Sequence, residues 1–245
     1  MSAVPRDVLV AQAVFDLAAR PDGFDVLELM HDLTTHTVRL VGVRSAGVTI
    51  LDHDGRVDYL TASDEDCRRL EEDQVELDEG PCVDSTRNGS LLSPVNLHRA
   101  GLGSQRWPRF TPRALAAGYS SVASVPLRVS ESAVGAVNLL HAGPRRLTGV
   151  DLQLVQVLAD TAGTRLHQRR TLIARNDVIA QLETALSSRI VIEQAKGILA
   201  SRLGTDVQDA FVRLRAHARS RQQNLTDLAR MVVRGQIPAD LDRTH

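Results

Sequence analysis

The sequence predicts an α+β protein, in which an antiparallel sheet flanked by helices is followed by a long helix that leads into a C-terminal three-helix bundle. Strand-like runs at 46–51 and 56–61, and again at 121–127 and 133–140, are separated by short polar turns, which is typical of antiparallel hairpins. Helical patterns stand before and between these pairs, as expected for an α+β domain. From about residue 148 onward the pattern is helical almost throughout.

The first part of the chain is expected to alternate helices and strands in that order. One amphipathic helix is predicted from about Arg6 to Arg20 and a second from about Asp25 to Leu40. Residues 52–55 form the predicted turn of the first hairpin, and a charged helix follows over 63–77. The segment 94–112 has little periodicity, so an irregular connection is expected there.

Composition and motifs predict neither a membrane protein nor an enzyme. No apolar run approaches the roughly 20 residues that a membrane helix needs, and the charged N-terminus is unlike a signal peptide, so a cytoplasmic location is expected. Cys67 and Cys82 have no metal-ligand partners nearby, which predicts no metal site and two incidental thiols. A reactive sensor thiol at Cys82 is the minor alternative. No nucleophile triad, catalytic carboxylate pair or phosphate-binding glycine loop is present, so no enzyme and no cofactor are predicted.

Charge is distributed unevenly along the chain. Residues 1–164 carry a net charge of −7, whereas residues 165–245 contain 13 arginines and Lys196 against eight acids, a net charge of +6. A basic C-terminal part favours a polyanionic partner, although a solvated helical surface gives the same count.

The long helix carries two apolar seams at steps of three and four. The first contains Leu152, Val155, Ala159, Ala162 and Leu166; after Arg169 and Arg170 the second resumes out of phase with Leu172, Ile179, Leu182 and Leu186. Such seams suit a homodimer, and packing against the chain's own domain produces the same pattern.

Three helices are predicted from about Asn176 onward. The first ends at Leu203 before Gly204, the second opens at Thr205 or Asp206, and the third opens at Asn224. On the second helix an apolar stripe is expected to face the bundle; it contains Val207, Ala210, Phe211, Leu214 and Ala218. By its position Phe211 is expected in the core rather than in contact with a base.

The segment from Leu182 to Val233 closely resembles the ANTAR family of RNA-binding antitermination modules. The resemblance is carried by Ala-Leu-x-Ser-Arg at 185–189, Ile-Glu-Gln-Ala-Lys-Gly-x-Leu at 192–199 and Ala-Phe-x-x-Leu-Arg at 210–215. It implies a three-helix module that, usually as a dimer, binds paired RNA hairpins and prevents transcription termination. The matching positions are Arg189, Lys196, Gly197, Phe211 and Arg215, of which Arg189, Lys196, Gly197 and Arg215 are the predicted RNA-binding residues.

The chemistry of these residues agrees with that implication and leaves alternatives. Arg189 and Lys196 are seven apart, so on a helix they point in nearly the same direction, roughly 10 Å apart along the axis. They can bind phosphates or a base, or only cover the edge of the bundle. Gly197 costs a helix about 1 kcal/mol relative to alanine, which is explained by close approach of either a second helix or a ligand backbone.

The stretch from about Val26 to Arg165 resembles a GAF sensor domain. The resemblance rests on Leu-Asp-Glu-Gly-Pro-Cys at 77–82, Arg-Trp-Pro-Arg-Phe at 106–110, Ser-Val-Pro-Leu at 124–127 and Gly-Ala-Val-Asn-Leu at 135–139. It implies a pocket on the sheet for a small ligand, whose identity and contact residues are unknown. Two distant cysteines fit poorly with the methionine sulfoxide reductase activity of some small GAF proteins.

The predicted organisation is therefore an N-terminal helix at 1–20, a GAF sensor domain at 21–165, a connecting coiled-coil helix at 166–181, an ANTAR RNA-binding domain at 182–235 and a tail at 236–245. The predicted function is RNA-binding transcription antitermination, with the GAF sensor controlling the geometry of a homodimer. The alternative is a ligand-binding signalling adaptor that acts through protein–protein contacts. Steep weakening of RNA affinity with salt favours the first of these.

Overall fold

The computed structural model describes residues 4–52, 54–98, 103–143 and 147–242. His53 of the expected hairpin turn lies outside the described residues. Residues 1–3 of the predicted N-terminal helix and residues 243–245 of the predicted tail also lie outside them. The chain forms two compact units, Met1–Thr171 and Leu172–His245.

A five-stranded antiparallel sheet forms the centre of the first unit, as the hairpin patterns predict. Its strands are β1 (Ser45–Leu51), β2 (Val57–Ala62), β3 (Leu92–Asn96), β4 (Ser121–Val129) and β5 (Ser132–His141), arranged in the order β2-β1-β5-β4-β3. The two predicted hairpins are β1–β2 and β4–β5, and β5 also pairs with β1, with Val48 opposite Val137.

Strand β3 overlaps the start of the segment 94–112, for which the sequence predicted an irregular connection. The strand is short and contains Pro94, which cannot donate a hydrogen bond to a neighbouring strand. Because proline argues against a strand, the sequence pattern did not predict β3. At the edge of the sheet only one neighbour is needed, and the pairing with β4 is irregular between Leu92 and Val95. The edge of the sheet can therefore accommodate a strand that contains proline.

One face of the sheet is covered by three helices. These are α1 (Arg6–Ala18), α2 (Val26–Val41) and the first part of α7 (Gly149–Leu203). Because side chains alternate along a strand, Val48 and Ile50 of β1 and Val137 of β5 point to this face and enter its core.

The opposite face is covered by shorter helices. These are α3 (Glu65–Leu77), α4 (Pro81–Asn88), α5 (Gly103–Arg106) and α6 (Phe110–Ala116). Trp107 and Phe110 are fully buried there with their rings edge to face, 6.0 Å apart, and form part of the core on this side. The polar members of the alternating strands, including Thr49 and Asn138, also lie on this side and are buried.

The two seams of α7 have different environments. Leu152, Val155, Ala159, Ala162 and Leu166 are buried in the core of the first unit, so packing against the chain's own domain accounts for the first seam. In contrast, every residue from 173 to 187 is exposed, including Ile179, Leu182 and Leu186 of the second seam.

The second unit contains the end of α7, α8 (Val207–Ser220) and α9 (Leu225–Val233). Asp206 caps α8 by accepting from the Asp209 amide at 2.7 Å, and Asn224 caps α9 by accepting from the Thr226 amide at 2.8 Å. The bundle core contains Ala195, Leu199, Ala210, Leu214, Leu228, Val232 and also Leu241 of the C-terminal segment.

Two members of the stripe predicted for the second helix are not in this core. Val207 is exposed and Phe211 is only half-buried, whereas Ala210, Leu214 and Ala218 are buried as expected. The buried face of α8 is therefore narrower than the apolar stripe that the sequence predicted. Phe211 lies at the edge of this face, next to solvent.

Candidate functional site

Lys196 is held in place on the surface of the bundle by two contacts. Its ammonium Nζ donates to both carboxylate oxygens of Glu193, one turn earlier on α7, each at 2.9 Å. The same Nζ lies 5.1 Å from the centre of the Phe211 ring on α8. The side chain is only 12% exposed, so Lys196 is a positioned cation rather than a freely extended one.

Arg189 and Gly197 flank this lysine and are open to solvent. Arg189 is exposed, and within the described part of the chain it has no ion pair or hydrogen bond. A Cβ built on Gly197 would meet nothing within 4 Å. Among the described residues, therefore, no helix crosses closely enough at Gly197 to explain this glycine.

Arg215 lies on the solvent-facing side of α8, in a groove that we call the α8 groove. The groove is lined by Gln208, Phe211, Val212, Arg215, Ala216 and Arg219, and has a cavity volume of about 330 Å³. Arg215 and Arg219 are exposed, and neither is paired with an acid among the residues that the structure covers. Phe211, which the sequence placed in the core, instead forms part of this groove.

Two other arginines of the second unit are paired with acids of the C-terminal segment. Arg202 binds Asp242 at 2.6 Å, and Arg221 binds Asp240 at 2.7 Å. Because they are paired, these arginines are weaker candidates for binding a polyanion than Arg189, Arg215 and Arg219.

A buried polar cluster lies under the sheet of the first unit. The carboxylate of Glu71 on α3 is fully buried; Thr49 Oγ1 donates to it at 2.9 Å, and Asn138 Nδ2 donates at 2.7 and 2.9 Å. Gly47 is required beside it, since a Cβ there would lie 2.4 Å from a carboxylate oxygen. Burial raises the pKa of Glu71 to about 7, and the hydrogen bonds from Thr49 and Asn138 only partly oppose that rise.

Both cysteines are free thiols in this buried region. Burial raises the pKa of Cys82 to about 12, with the nearby Glu71 carboxylate adding to the rise, and it raises the pKa of Cys67 even further. A thiol reacts through its thiolate, so neither environment activates the sulfur. The geometry favours two structural thiols over the alternative of a sensor thiol at Cys82.

Two adjoining cavities open beside this cluster at one end of the sheet. They have volumes of about 700 and 260 Å³ and share Leu51, Gly55 and Thr86 in their walls. The larger is bordered by an ion pair between Arg170 and Asp58 at 3.2 Å, and Cys82 lines the smaller. Their size is in the range of small-ligand sites.

Neither a metal site nor a membrane-spanning helix is present among the described residues. No cluster of three or more histidine, cysteine or acidic side chains there could hold a metal ion. None of the described helices combines the length and apolar character required to cross a bilayer.

The fold defines a two-part protein, in which an α+β domain with an antiparallel sheet is followed by a small helical module with exposed cations. The GAF domain family matches residues 25–167, more than half of the chain, and the ANTAR domain family matches residues 180–233. The protein therefore belongs to the GAF family and carries a C-terminal ANTAR domain, as the resemblances predict. These are sensor and RNA-binding regulatory domains rather than enzymatic ones, and the ANTAR domain indicates an antitermination regulator.

Solved structures share the fold of the first unit at low sequence identity. The GAF domain of an Acinetobacter phosphoenolpyruvate-protein phosphotransferase has a TM-score of 0.50 and 14% identity, over 70% of this chain and 97% of that one. The bacteriophytochrome RpBphP3 of R. palustris has a TM-score of 0.51 and 11% identity, over 79% of this chain and 43% of that one. A comparison with curated protein sequences gave no match.

Two features of these sites were not predicted from the sequence. Glu193, which neutralises Lys196, belongs to the recognised Ile-Glu-Gln-Ala-Lys-Gly run, and its spacing of three from the lysine was a usable signal for an ion pair. The buried Glu71 gave no such signal, because a glutamate in a charged helix is normally exposed.

Proposed function

We propose that this protein is an RNA-binding transcription antitermination regulator whose ANTAR domains act as a homodimer on paired RNA hairpin loops. The observation that carries the proposal is the arrangement on the second unit of the exposed Arg189, the positioned Lys196 and the open Gly197 on α7, with the exposed Arg215 on α8. Arg189 and Arg215 have no acidic partner among the described residues, so they can attract phosphate. The Lys196 ammonium has three donors and uses two of them on Glu193, which leaves one for RNA. The unobstructed Gly197 permits a backbone to approach closely.

Dimerisation is supported by the second seam of α7. Leu182 and Leu186 are 64% and 60% exposed, and with Leu172 and Ile179 they keep the a and d positions of a heptad. A helix segment of 15 exposed residues is marginally stable alone in water, and burying this seam against a second copy would stabilise it.

Sensor control is supported by the helix that connects the two activities. Because α7 is continuous from Gly149 to Leu203, it supplies residues to the core of the sensor unit and to the core of the RNA-binding unit. In the proposed mechanism, a small molecule binds the cavities beside Glu71 and changes the dimer through α7.

RNA recovery from cells tests the central claim. The protein is crosslinked to cellular RNA, and recovered fragments enriched in tandem hairpins are the expected result. Gel shifts on those fragments should then show loss of binding by Arg189→Ala and Lys196→Ala with unchanged helical content. Arg230→Ala is the matched control, since this arginine is paired with Asp227 on α9. Recovery of no transcript, or full binding by both variants, would overturn the proposal.

The dimer has a separate test in light scattering coupled to size exclusion. Leu186→Lys places a charge on the seam and should yield a monomer at concentrations where the wild-type protein is a dimer. Ala180→Lys makes a similar change on the outer side of the same helix and should leave the dimer intact. A monomeric wild-type protein would remove the homodimer from the mechanism.

A further inference from the structure

The α8 groove has the chemical character of a nucleobase site rather than of a core surface. Its six lining residues, at positions 208, 211, 212, 215, 216 and 219, lie along one face of α8, while Ala210, Leu214 and Ala218 are buried on the other. It combines one aromatic ring, one side-chain amide and two unpaired arginines in a volume of about 330 Å³.

We propose that one unpaired RNA base stacks on Phe211 in this groove, with Gln208 binding the edge of the base and Arg215 and Arg219 binding its flanking phosphates. This inference rests on the proposed RNA-binding function and names a contact within it. It assigns to Phe211 a direct role in binding, where sequence position alone indicated the bundle core.

Phe211 is suited to stacking because its ring is accessible and fixed in orientation. The residue is half-buried, and Lys196 Nζ lies 5.1 Å from the ring centre, so a cation–π contact restrains the ring. Protein aromatic rings bind unpaired RNA bases by stacking, with little dependence on which base is present.

Gln208 and the two arginines supply the complementary polar contacts. A glutamine amide carries both donors and an acceptor, so it can pair with the edge of a base, and no described residue engages the Gln208 amide. Arg215 and Arg219 are one helical turn apart on the same face, which suits successive phosphates of a chain whose base enters the groove.

Binding to defined hairpins tests this contact in the full-length protein. The probe is a set of RNA hairpins with one fixed stem and a randomised eight-nucleotide loop; the best-bound sequence is then made with an abasic site at each loop position in turn. Phe211→Leu removes the ring while keeping an apolar side chain, and Phe211→Tyr keeps the ring. Phe15→Leu is the control, because Phe15 is exposed in the first unit.

We expect Phe211→Leu to weaken binding roughly 5- to 150-fold, the loss typical of one stacked base, without changing the salt dependence. Phe211→Tyr and Phe15→Leu should stay within about twofold of wild type, as an exchange that keeps the ring or lies outside the groove should. At one loop position the abasic site should weaken binding by the wild-type protein and have no further effect on Phe211→Leu. A merely structural role for the ring would not produce this non-additivity.

The outcomes separate this inference from the function on which it rests. If the wild-type protein binds none of the hairpins, both fail. If it binds them and Phe211→Leu binds equally well, or every abasic site is additive with that variant, only the base contact is overturned. Should Phe211→Leu not fold, a loop carrying 5-iodouridine decides: photocrosslinking to the α8 peptide that contains Phe211 supports the contact, and crosslinking only elsewhere refutes it.

Discussion

Replacing Gly197 with alanine should stabilise the protein and weaken its binding to RNA. Gly197 lies inside α7, is exposed, has no left-handed backbone conformation, and has nothing within 4 Å of the position of a Cβ. Alanine therefore meets no steric obstacle within the chain. The gain in helix propensity is about 1 kcal/mol, which should raise the melting temperature of a unit of this size by roughly 4–8 °C.

The loss of affinity follows from the reason proposed for the glycine. If the RNA backbone packs against the bare Cα, the added methyl group enters a close contact, and such overpacking costs about 1–3 kcal/mol. Affinity should then fall roughly 5- to 150-fold in fluorescence anisotropy with a labelled hairpin. The opposite signs of the two effects matter, because damage to the fold would lower both stability and affinity.

A matched exchange is available at the start of the same helix. Gly149 is also unobstructed in its surroundings, and Gly149→Ala should leave RNA affinity unchanged. If Gly197→Ala binds RNA as tightly as the wild-type protein, no backbone approaches this position and Gly197 must be removed from the interface.

Three further predictions concern charge and reactivity. Folding raises the pKa of Glu71 from about 4.5 to about 7. Between these two pH values the unfolded chain therefore binds fewer protons than the folded protein. The free energy of unfolding should fall by up to about 3 kcal/mol from pH 4.5 to 7 and stay constant above pH 7. In urea unfolding followed by tryptophan fluorescence, Glu71→Gln should lack this fall, and parallel pH profiles would contradict the assignment. Cys67 and Cys82 should not react with an aromatic disulfide reagent at pH 8 until urea is added, because burial raises both thiol pKa values; rapid labelling of the native protein would show an accessible thiolate. Arg189→Ala should reduce the slope of log affinity against log salt by about 1, as loss of one phosphate contact does, whereas an unchanged slope, as expected for Arg230→Ala, would mean no such contact.

The strands and helices that the sequence predicted are those with strong local periodicity. The hairpins β1–β2 and β4–β5 follow from alternation and turns, and the caps at Asp206 and Asn224 follow from side-chain chemistry within three residues. Strand β3 was missed because its stability depends on pairing with β4, a partner distant in sequence, and not on its own composition.

Prediction of the RNA-binding residues from sequence has the same limit, here for single side chains. The ANTAR resemblance selected Arg189, Lys196, Gly197 and Arg215, but it did not predict the exposure or the contacts of these residues. Glu193 lies three residues before Lys196 on the same helix, so that ion pair is local. The contact of Lys196 with the Phe211 ring, in contrast, depends on how α7 packs against α8. Arg189 and Arg215 are unpaired among the described residues. The position of Phe211 was misjudged because helical spacing gives the direction of a side chain but not the width of the face that its neighbours cover.

The sequence by itself determined the two families, the order of the main elements and the basic character of the C-terminal part, since these depend on residue type and short-range spacing. Only the tertiary structure decided which of two similar seams on α7 is buried, which cations have acidic partners, and that Glu71 is enclosed with a raised pKa. Burial, and ion pairs such as Arg202–Asp242 and Arg221–Asp240, arise between residues far apart in the chain, so their outcome is fixed by packing and not by the local sequence.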